Sequence, residues 1–298
     1  MSRAPGTSHR VPLDAAQRGE GGFVWRFHAF HRWTHAAVIV SFFLLVITGL
    51  PLRFSCAFWS VPLMRLLGGV EMAGLLHRIG AVVTFAYFAA HVGYLVRRLV
   101  RAEDRMALLW GVDSLVPQPK DVVDFIHQIR WYFGRGPRPR FGRWSYMEKF
   151  DYFAVFWGVA IIGGSGLLLW FPEFFSGVLP GWVFNVATIV HADEALLAAS
   201  FIFTVHFFHV HLRPDKFPLD AVMFTGRATV DYMAEEHALL EERIRAHAGR
   251  PPSTEQIADT PAPPPSRAAS VVAAALGFLA LALGVGLIGM IVWAVTLC

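Results

Sequence analysis

Apolar residues in this chain are gathered into long uninterrupted runs, separated by polar segments rich in arginine, proline and glycine. A helix needs about 20 apolar residues to cross a bilayer, and five runs reach that length. They cover residues 33–52, 73–96, 152–171, 182–210 and 268–297. Runs without alternation favour helices over the strands of a membrane barrel. The pattern therefore predicts an all-α integral membrane protein with five crossings.

Composition supports that class and excludes several others. Hydrophobic residues make up 55% of the chain and charged residues only 16%, against about 25% charged in average soluble domains. With only two cysteines, Cys56 and Cys298, the chain has no disulfide framework, no Cys-x-x-Cys metal site and no attachment motif for c-type haem. The first 32 residues contain no apolar core of a cleavable secretory signal.

Lysine and arginine indicate how the chain crosses the membrane, because they are retained on the cytoplasmic side. The N-terminal arm has five, residues 97–149 have eleven and residues 213–267 have seven. The first outer loop has two, and residues 172–190 have none. We therefore predict a cytoplasmic N-terminus and a periplasmic C-terminus. Membrane topology also accounts for the net charge of +4, so no nucleic-acid partner is expected.

Four regions follow from these boundaries. Residues 1–32 form a cytoplasmic arm. Residues 33–212 form a four-helix transmembrane bundle, whose basic cytoplasmic loop covers 97–149. Residues 213–267 contain a charged surface helix and a proline-rich linker. Residues 268–298 form the fifth, C-terminal transmembrane helix, which either contacts a partner subunit or faces lipid.

The basic loop contains one amphipathic segment. Residues 121–133 read DVVDFIHQIRWYF, with apolar positions that recur at helical spacing. A short helix with one apolar and one polar face is typical of a segment that lies in the plane of the membrane surface. We predict such a helix here.

Thirteen histidines are present, and four of them lie in matched positions inside apolar runs. The second run has His77 and His91, 14 residues apart, and the fourth has His191 and His206, 15 apart. At about 1.5 Å and 100° per residue, each pair spans roughly 21 to 22 Å along its helix and keeps broadly to one face. Because the predicted topology makes these helices run in the same direction, His77 is expected to face His191 near the outer surface. His91 is expected to face His206 near the inner surface.

Two facing imidazoles at each level predict a bis-histidine b-type haem. Because both axial positions of the iron are then filled, such a site is suited to electron transfer and not to oxygen chemistry. A single membrane histidine more often hydrogen-bonds between helices or lies near headgroups, but two pairs in matched register favour haem. Zinc is disfavoured because four ligands must converge on one ion, whereas these pairs lie about 21 Å apart.

Several segments resemble a known family. They are HRWTHAAVIVSFFLLVITGL, LLHRIG with a later histidine, EKFDYFAVFWG followed by LWFPE, and H-x-x-EALLA followed by two histidines. These segments resemble membrane cytochrome b subunits of the formate dehydrogenase gamma, nickel–iron hydrogenase and thiosulfate reductase kind, over roughly residues 23–245. The resemblance implies a bacterial inner-membrane subunit with two b-type haems. Such a subunit carries respiratory-chain electrons between the quinone pool and a partner redox subunit.

The histidine spacing is also similar to that of the cytochrome b of bc-type quinol-oxidising complexes, and the two resemblances differ in one inner ligand. The formate dehydrogenase type takes it from the first helix, matching His35, whereas the bc type matches His91. His35 therefore has three open roles: a ligand of the inner haem, part of a quinone pocket, or a ligand of a third haem. His211, which points about 140° away from His206, would be the second ligand of that third haem.

These expectations describe an electron-transfer subunit rather than an enzyme that transforms a substrate alone. The resemblance to the formate dehydrogenase type also implies a quinone pocket on the inner side, near Trp33, His35 and His91. Since the outer loops are short, a partner is expected to dock there, either a multihaem cytochrome c or an iron–sulfur subunit. Two other classes stay open: a transporter whose membrane histidines carry protons or metal ions, and a structural membrane anchor.

Overall fold

The computed structural model describes residues 22–246 and 261–298. Five of its helices are long and apolar enough to cross a membrane. We call them spans 1 to 5 in chain order: Ala29–Arg53, Gly69–Arg101, Tyr146–Trp170, Trp182–Leu212 and Arg267–Leu297. They confirm the five predicted helices and differ from the predicted bounds by a few residues at their ends. Most of the predicted arm, residues 1–21, and much of the linker, residues 247–260, lie outside the described residues.

Shorter elements connect the spans. The helices are Ser60–Leu66, Arg105–Trp110, Pro119–Tyr132, Pro172–Ser176, Val222–Thr225, Val230–Glu236 and Ala238–Ala246. Three strands, β1 (Phe23–Trp25), β2 (Arg227–Thr229) and β3 (Pro261–Ala262), form an antiparallel sheet in the order β2-β1-β3. The hydrophobic pattern does not predict this sheet, because each strand has only two or three residues. β1 precedes span 1, β2 follows span 4 and β3 precedes span 5. The sheet therefore brings together the start of span 1, the end of span 4 and the start of span 5.

The opposite end of the helices carries a disulfide between Cys56 and Cys298, whose Cα atoms are 5.9 Å apart. Cys56 follows span 1 and Cys298 follows span 5, so both spans end on the same side. The sequence pattern does not predict this pairing, because the cysteines are 242 residues apart and only the fold brings them together. In a chain-entropy model, closing so long a loop stabilises the folded state by about 5 kcal/mol. We call the two ends the sheet end and the disulfide end.

Spans 3 and 4 are not uniform α-helices. Span 3 contains a π-helical segment at Val159–Gly163, and span 4 contains two, at Ile202–His206 and Phe208–Leu212. Single π-helical turns inside longer helices are frequent at functional sites. In this chain they lie beside or contain the histidines of the candidate site.

The buried apolar core lies where spans 1, 4 and 5 meet. Its members are Val46, Leu50, Phe54, Ala57, Trp59, Ala199, Phe203, Phe207, Leu287, Ile291 and Ala294. Span 5 presents small residues to this core, and a side chain at Gly284 would overlap the ring of Phe207. On the opposite face of span 5, Val285 and Val292 are more than half exposed. Span 5 therefore packs on the other helices with one face and leaves the other face for lipid or a partner.

The predicted amphipathic helix forms over Pro119–Tyr132. Proline in its first turn and a carboxylate oxygen of Asp121, which accepts the backbone N–H of Gln118 at 2.6 Å, define its start. Asp121 also accepts hydrogen bonds from Lys149 Nζ at 3.0 Å, which ties the polar face to span 3. The apolar side chains stay outside: Val122, Val123, Phe125, Ile126 and Ile129 are exposed. An outward apolar face fits a helix at a membrane surface.

The segment after span 4 differs from the expected single charged helix. Two helices meet at His237, which is only 2% exposed. His237 Nδ1 lies 2.9 Å from the carbonyl oxygen of Gly142, and its Nε2 lies 3.4 Å from an Arg26 nitrogen. Burial lowers the pKa of His237 to about 4, and the positive charge of Arg26 acts in the same direction. The imidazole is therefore neutral at pH 7 and belongs to the buried packing of the sheet end.

Candidate functional site

The histidines of spans 2 and 4 that lie nearer the disulfide end contact each other. The ring centres of His77 and His191 are 6.1 Å apart, and the ring planes are inclined at 67°. Each residue lies about two turns from the start of its span, so their levels along the two helices match. The structure thus brings together the pair that the sequence places nearest the outer surface.

Span 1 positions the ring of His77. His77 Nδ1 lies 2.9 Å from Thr48 Oγ1, and the Thr48 hydroxyl donates its own hydrogen to the carbonyl oxygen of Leu44 at 2.6 Å. The Thr48 oxygen therefore accepts from the ring, which assigns the His77 proton to Nδ1 and leaves a lone pair on Nε2. A Cβ atom at Gly49 would come within 3.5 Å of His77 Cε1, so the ring lies directly on the backbone of span 1.

Span 3 positions His191 in a similar way. His191 Nδ1 lies 2.9 Å from the carbonyl oxygen of Ile162. A carbonyl oxygen only accepts, so His191 also carries its proton on Nδ1 and has a lone pair on Nε2. Ile162 belongs to the π-helical segment of span 3, where the wider turn changes which carbonyl groups find a helical donor. A Cβ atom at Gly166 would lie 3.0 Å from His191 Cε1, closer than an ordinary carbon contact of about 3.5–4.0 Å.

This pair has the features of a bis-histidine metal site. Two imidazoles that bind one ion from opposite sides have ring centres about 6 Å apart, given metal–nitrogen bonds of about 2 Å. The observed separation is 6.1 Å. Metal-binding histidines also donate their second ring N–H to a protein acceptor, as both do here. The residues present therefore fit the axial ligands of a haem iron.

Metal sites of other kinds need a larger set of side chains. Within residues 22–246 and 261–298, no group of three or more His, Cys, Asp or Glu side chains is arranged to hold a metal ion. A haem iron needs only two protein ligands, because the macrocycle supplies the others.

Nearer the sheet end, His206 pairs with a carboxylate. His206 Nδ1 lies 2.9 Å from Asp151 Oδ2, and each side chain is 23% exposed. The second carboxylate oxygen of Asp151 is buried and has no hydrogen-bond partner among the described residues. The structure thus pairs Asp151 of span 3 with His206 of span 4.

His91 lies in a separate aromatic group. Its Nε2 atom lies 2.9 Å from the hydroxyl oxygen of Tyr152. The ring of Phe30 is parallel to the imidazole with centres 6.4 Å apart, and Tyr94 lies 6.3 Å away. In the part of the chain that the structure describes, no ring contact joins His91 to His206. His91 and His206 therefore have different hydrogen-bond partners, Tyr152 and Asp151, which are neighbours in span 3. Their pairing across one haem stays a prediction.

His211 is buried on another side of span 4. Its Nδ1 atom lies 2.8 Å from the carbonyl oxygen of Pro218, and its ring packs on Phe207 with centres 4.7 Å apart. The ring of His35 instead contacts Phe224 edge-on at 6.3 Å. Over the described ranges no contact joins His35 to His211. The two histidines therefore have different partners in the structure, and a third haem between them stays a prediction.

Three groups that position the histidines are missed by the sequence pattern. Asp151 falls one residue before the predicted run 152–171, and a lone carboxylate at the edge of an apolar run is a signal that points to it. Thr48 is a polar residue within an apolar run, and such residues often form hydrogen bonds between membrane helices. The Ile162 carbonyl has no sequence signal, because its role depends on a local π-helical turn.

The structure shows a mainly helical protein with five helices able to span a membrane. Neither a protein-family model nor a curated protein matches the chain. The functional conclusion below therefore depends on the residues and their geometry.

Proposed function

We propose that this chain is the b-type cytochrome subunit of a membrane redox complex and carries electrons between the quinone pool and a partner redox subunit. The observation that supports this function is the pair of His77 and His191, with ring centres 6.1 Å apart and both Nδ1 atoms hydrogen-bonded to acceptors. Both Nε2 lone pairs are then available, which is the state required of axial haem ligands. A b-type haem suits a chain that lacks a Cys-x-x-Cys-His motif.

The chain's own residues orient the two imidazoles that would hold the haem. When bound, haem supplies a one-electron Fe(III)/Fe(II) couple. His77 and His191 would hold the haem iron through Nε2. Thr48 and the Ile162 carbonyl hold the rings by Nδ1, which fixes the tautomer and the ring orientation when the charge of the site changes.

For the inner haem, we propose His206 and His35 as the ligands. Asp151 accepts from His206 Nδ1, which leaves His206 Nε2 available. This arrangement corresponds to the formate dehydrogenase type, in which the first helix supplies a ligand. His191 and His206 are about 22 Å apart along span 4, so the two proposed ligand pairs would lie at well-separated levels of the bilayer.

His91 and Tyr152 belong, in this proposal, to the quinone pocket. A hydroxyl and an imidazole 2.9 Å apart can exchange a hydrogen bond and a proton with a quinone oxygen. The flanking rings of Phe30 and Tyr94 offer the flat apolar surface on which a quinone ring packs. In this assignment His91 binds the quinone and is not an iron ligand.

Two independent arguments support the same orientation in a bacterial inner membrane. Disulfides persist in oxidising compartments, so the bond between Cys56 and Cys298 supports a periplasmic location for the disulfide end. The segments rich in lysine and arginine belong to the opposite, cytoplasmic side. The outer haem site lies nearer the disulfide end, and the partner we propose there is a multihaem cytochrome c or an iron–sulfur subunit.

A reduced-minus-oxidised absorption spectrum of the purified chain tests this function. An electron carrier shows the bands of reduced b-type haem, whereas a transporter or a structural anchor with the same histidines shows none. His191→Ala is expected to remove the contribution of the outer haem and to keep that of the inner haem. The matched control is His127→Ala, since His127 is exposed. Full absorbance in both His77→Ala and His191→Ala would contradict the assignment.

A further inference from the structure

A cavity of about 530 Å³ lies at the sheet end, between the start of span 1 and the start of span 5. One side is cationic and is formed by Arg32 and Arg227. The other side is apolar and includes Val272 and Leu276 of span 5. None of the described residues that line the cavity is an aspartate or a glutamate. The cavity therefore combines positive charge with apolar surface at the level where two membrane helices begin.

Each arginine donates only some of its N–H groups to other atoms of the protein. Arg32 donates from Nε to the carbonyl oxygen of Phe224 at 2.8 Å. Arg227 donates from one terminal nitrogen to the carbonyl oxygen of Pro264 at 3.3 Å and stacks over the ring of Trp25 at 4.7 Å. Both guanidinium groups line the cavity, so their remaining terminal N–H groups can donate to an anionic oxygen there.

The start of span 5 adds to the positive potential. Span 5 is a helix of 31 residues whose first turn faces the cavity, with Ser266 as its cap. Helix N-termini carry partial positive charge and favour anions. Two guanidinium groups and a helix start on one wall indicate a phosphate or another anionic group as the polar part of a ligand.

The apolar wall indicates the rest of the ligand. Ala269, Val272, Ala273 and Leu276 recur at spacings of three and four along span 5, so they form one stripe. This stripe leads from the cationic wall into the membrane-spanning part of the helix. A ligand with an anionic head and a long apolar tail matches both walls, whereas inorganic phosphate matches only the first. Basic pockets between membrane helices are known to bind anionic lipid headgroups.

We propose that this cavity binds an anionic phospholipid, with its phosphate between Arg32 and Arg227 and one acyl chain along Val272 and Leu276. The lipid would join the sheet end of span 1 to that of span 5 in the leaflet where both spans begin. None of these residues belongs to the haem or quinone sites proposed above. The lipid site can therefore be tested whether or not the chain binds haem.

The experiment is thermal unfolding of the full chain in mild detergent, titrated with phosphatidylglycerol, phosphatidylcholine or inorganic phosphate. Phosphatidylglycerol is expected to raise the midpoint of unfolding in a saturable manner, since a ligand specific for the folded state stabilises it. The other two are expected to produce no saturable shift. The double variant Arg32→Gln with Arg227→Gln is expected to bind phosphatidylglycerol at least tenfold more weakly. A control variant, Arg138→Gln with Arg140→Gln, changes two exposed arginines and is expected to bind as the unchanged chain does.

Two further measurements test the site even if the double variant does not fold. In the unchanged chain, raising salt is expected to weaken the phosphatidylglycerol shift, because the arginines recognise charge. Leu276→Trp, which keeps both arginines and obstructs the apolar wall, is expected to weaken binding as well. Equal shifts with phosphatidylcholine would overturn the role of charge, and an equal shift with inorganic phosphate would overturn the role of the acyl chain. Unchanged binding in a folded double variant would overturn the site itself.

Discussion

Gly166 offers a sharp test of the geometry around His191. In Gly166→Ala, the new Cβ atom would lie 3.0 Å from His191 Cε1 and 3.3 Å from Nδ1. Unstrained carbon contacts are about 3.5–4.0 Å, so the ring has to move by roughly 0.5 Å. That movement disturbs the 2.9 Å hydrogen bond between His191 Nδ1 and the carbonyl oxygen of Ile162. The ligand orientation is therefore expected to be lost in part.

The size of the effect follows from the cost of overpacking. Inserting a methyl group into a well-packed site costs about 1–3 kcal/mol. If that cost falls on the haem-bound state, haem affinity at the outer site decreases by roughly 5- to 150-fold, since each 1.4 kcal/mol is about tenfold. The inner site should keep its affinity, because His206 lies about 22 Å further along span 4.

The assay is transfer of haem from the purified chain to an excess of apomyoglobin, followed by absorbance. The control is Gly164→Ala in the same helix, because a Cβ atom there meets no atom within 4 Å. Both substitutions favour helix formation equally, by about 1 kcal/mol, so only Gly166→Ala should accelerate release of the outer haem. Equal release rates in the two variants would refute the proposed contact between Gly166 and a ligating His191.

Three further predictions concern other parts of the chain. Asp151→Asn is expected to raise the midpoint potential of the inner haem, because a carboxylate that accepts from His206 Nδ1 makes the ligand more basic. The expected rise, measured by redox titration, is about 60 mV, which is a tenfold change for one electron. Because the folded pKa of His237 is about 4 against 6.5 unfolded, stability is present above pH 6.5 and decreases towards pH 4. Unfolding measurements should show a loss of about 2 kcal/mol between pH 7 and 5. A spin label at Ile126→Cys should be more accessible to oxygen than to a polar nickel reagent, as expected at a membrane surface.

Each of these predictions has a control and an outcome that contradicts it. For Asp151→Asn, the outer haem should keep its potential, and equal shifts at both sites would argue against a direct effect on the inner ligand. For the pH dependence, His237→Gln should flatten the profile and the exposed His127→Gln should not. For the surface helix, a label at Lys120→Cys should favour the nickel reagent, and identical accessibility at both positions would contradict an interfacial apolar face.

Much of the helical architecture is predictable because a bilayer allows few solutions. A run of about 20 apolar residues is long enough to cross as a helix and too apolar to remain in water. The matched levels of His77 and His191 then follow from helix rise and crossing direction, and the structure places their ring centres 6.1 Å apart. These features depend on local sequence and on the alternating direction of successive membrane helices.

Features that depend on long-range contacts are not predictable in this way. The pairing of β1 with β2 and β3, and of Cys56 with Cys298, joins segments that have no shared pattern. The turn of His206 towards Asp151 depends on how spans 3 and 4 are rotated about their axes, and π-helical turns alter that rotation locally. A spacing argument places a histidine at a level in the membrane but does not choose its partner there.

The most direct test of the central claim is the amount of haem b per chain, measured as the pyridine haemochrome in purified protein. The account predicts at least two haems in the unchanged chain and one fewer in either His77→Ala or His191→Ala. A folded, monodisperse preparation that contains no haem, or variants that keep the full amount, would contradict it.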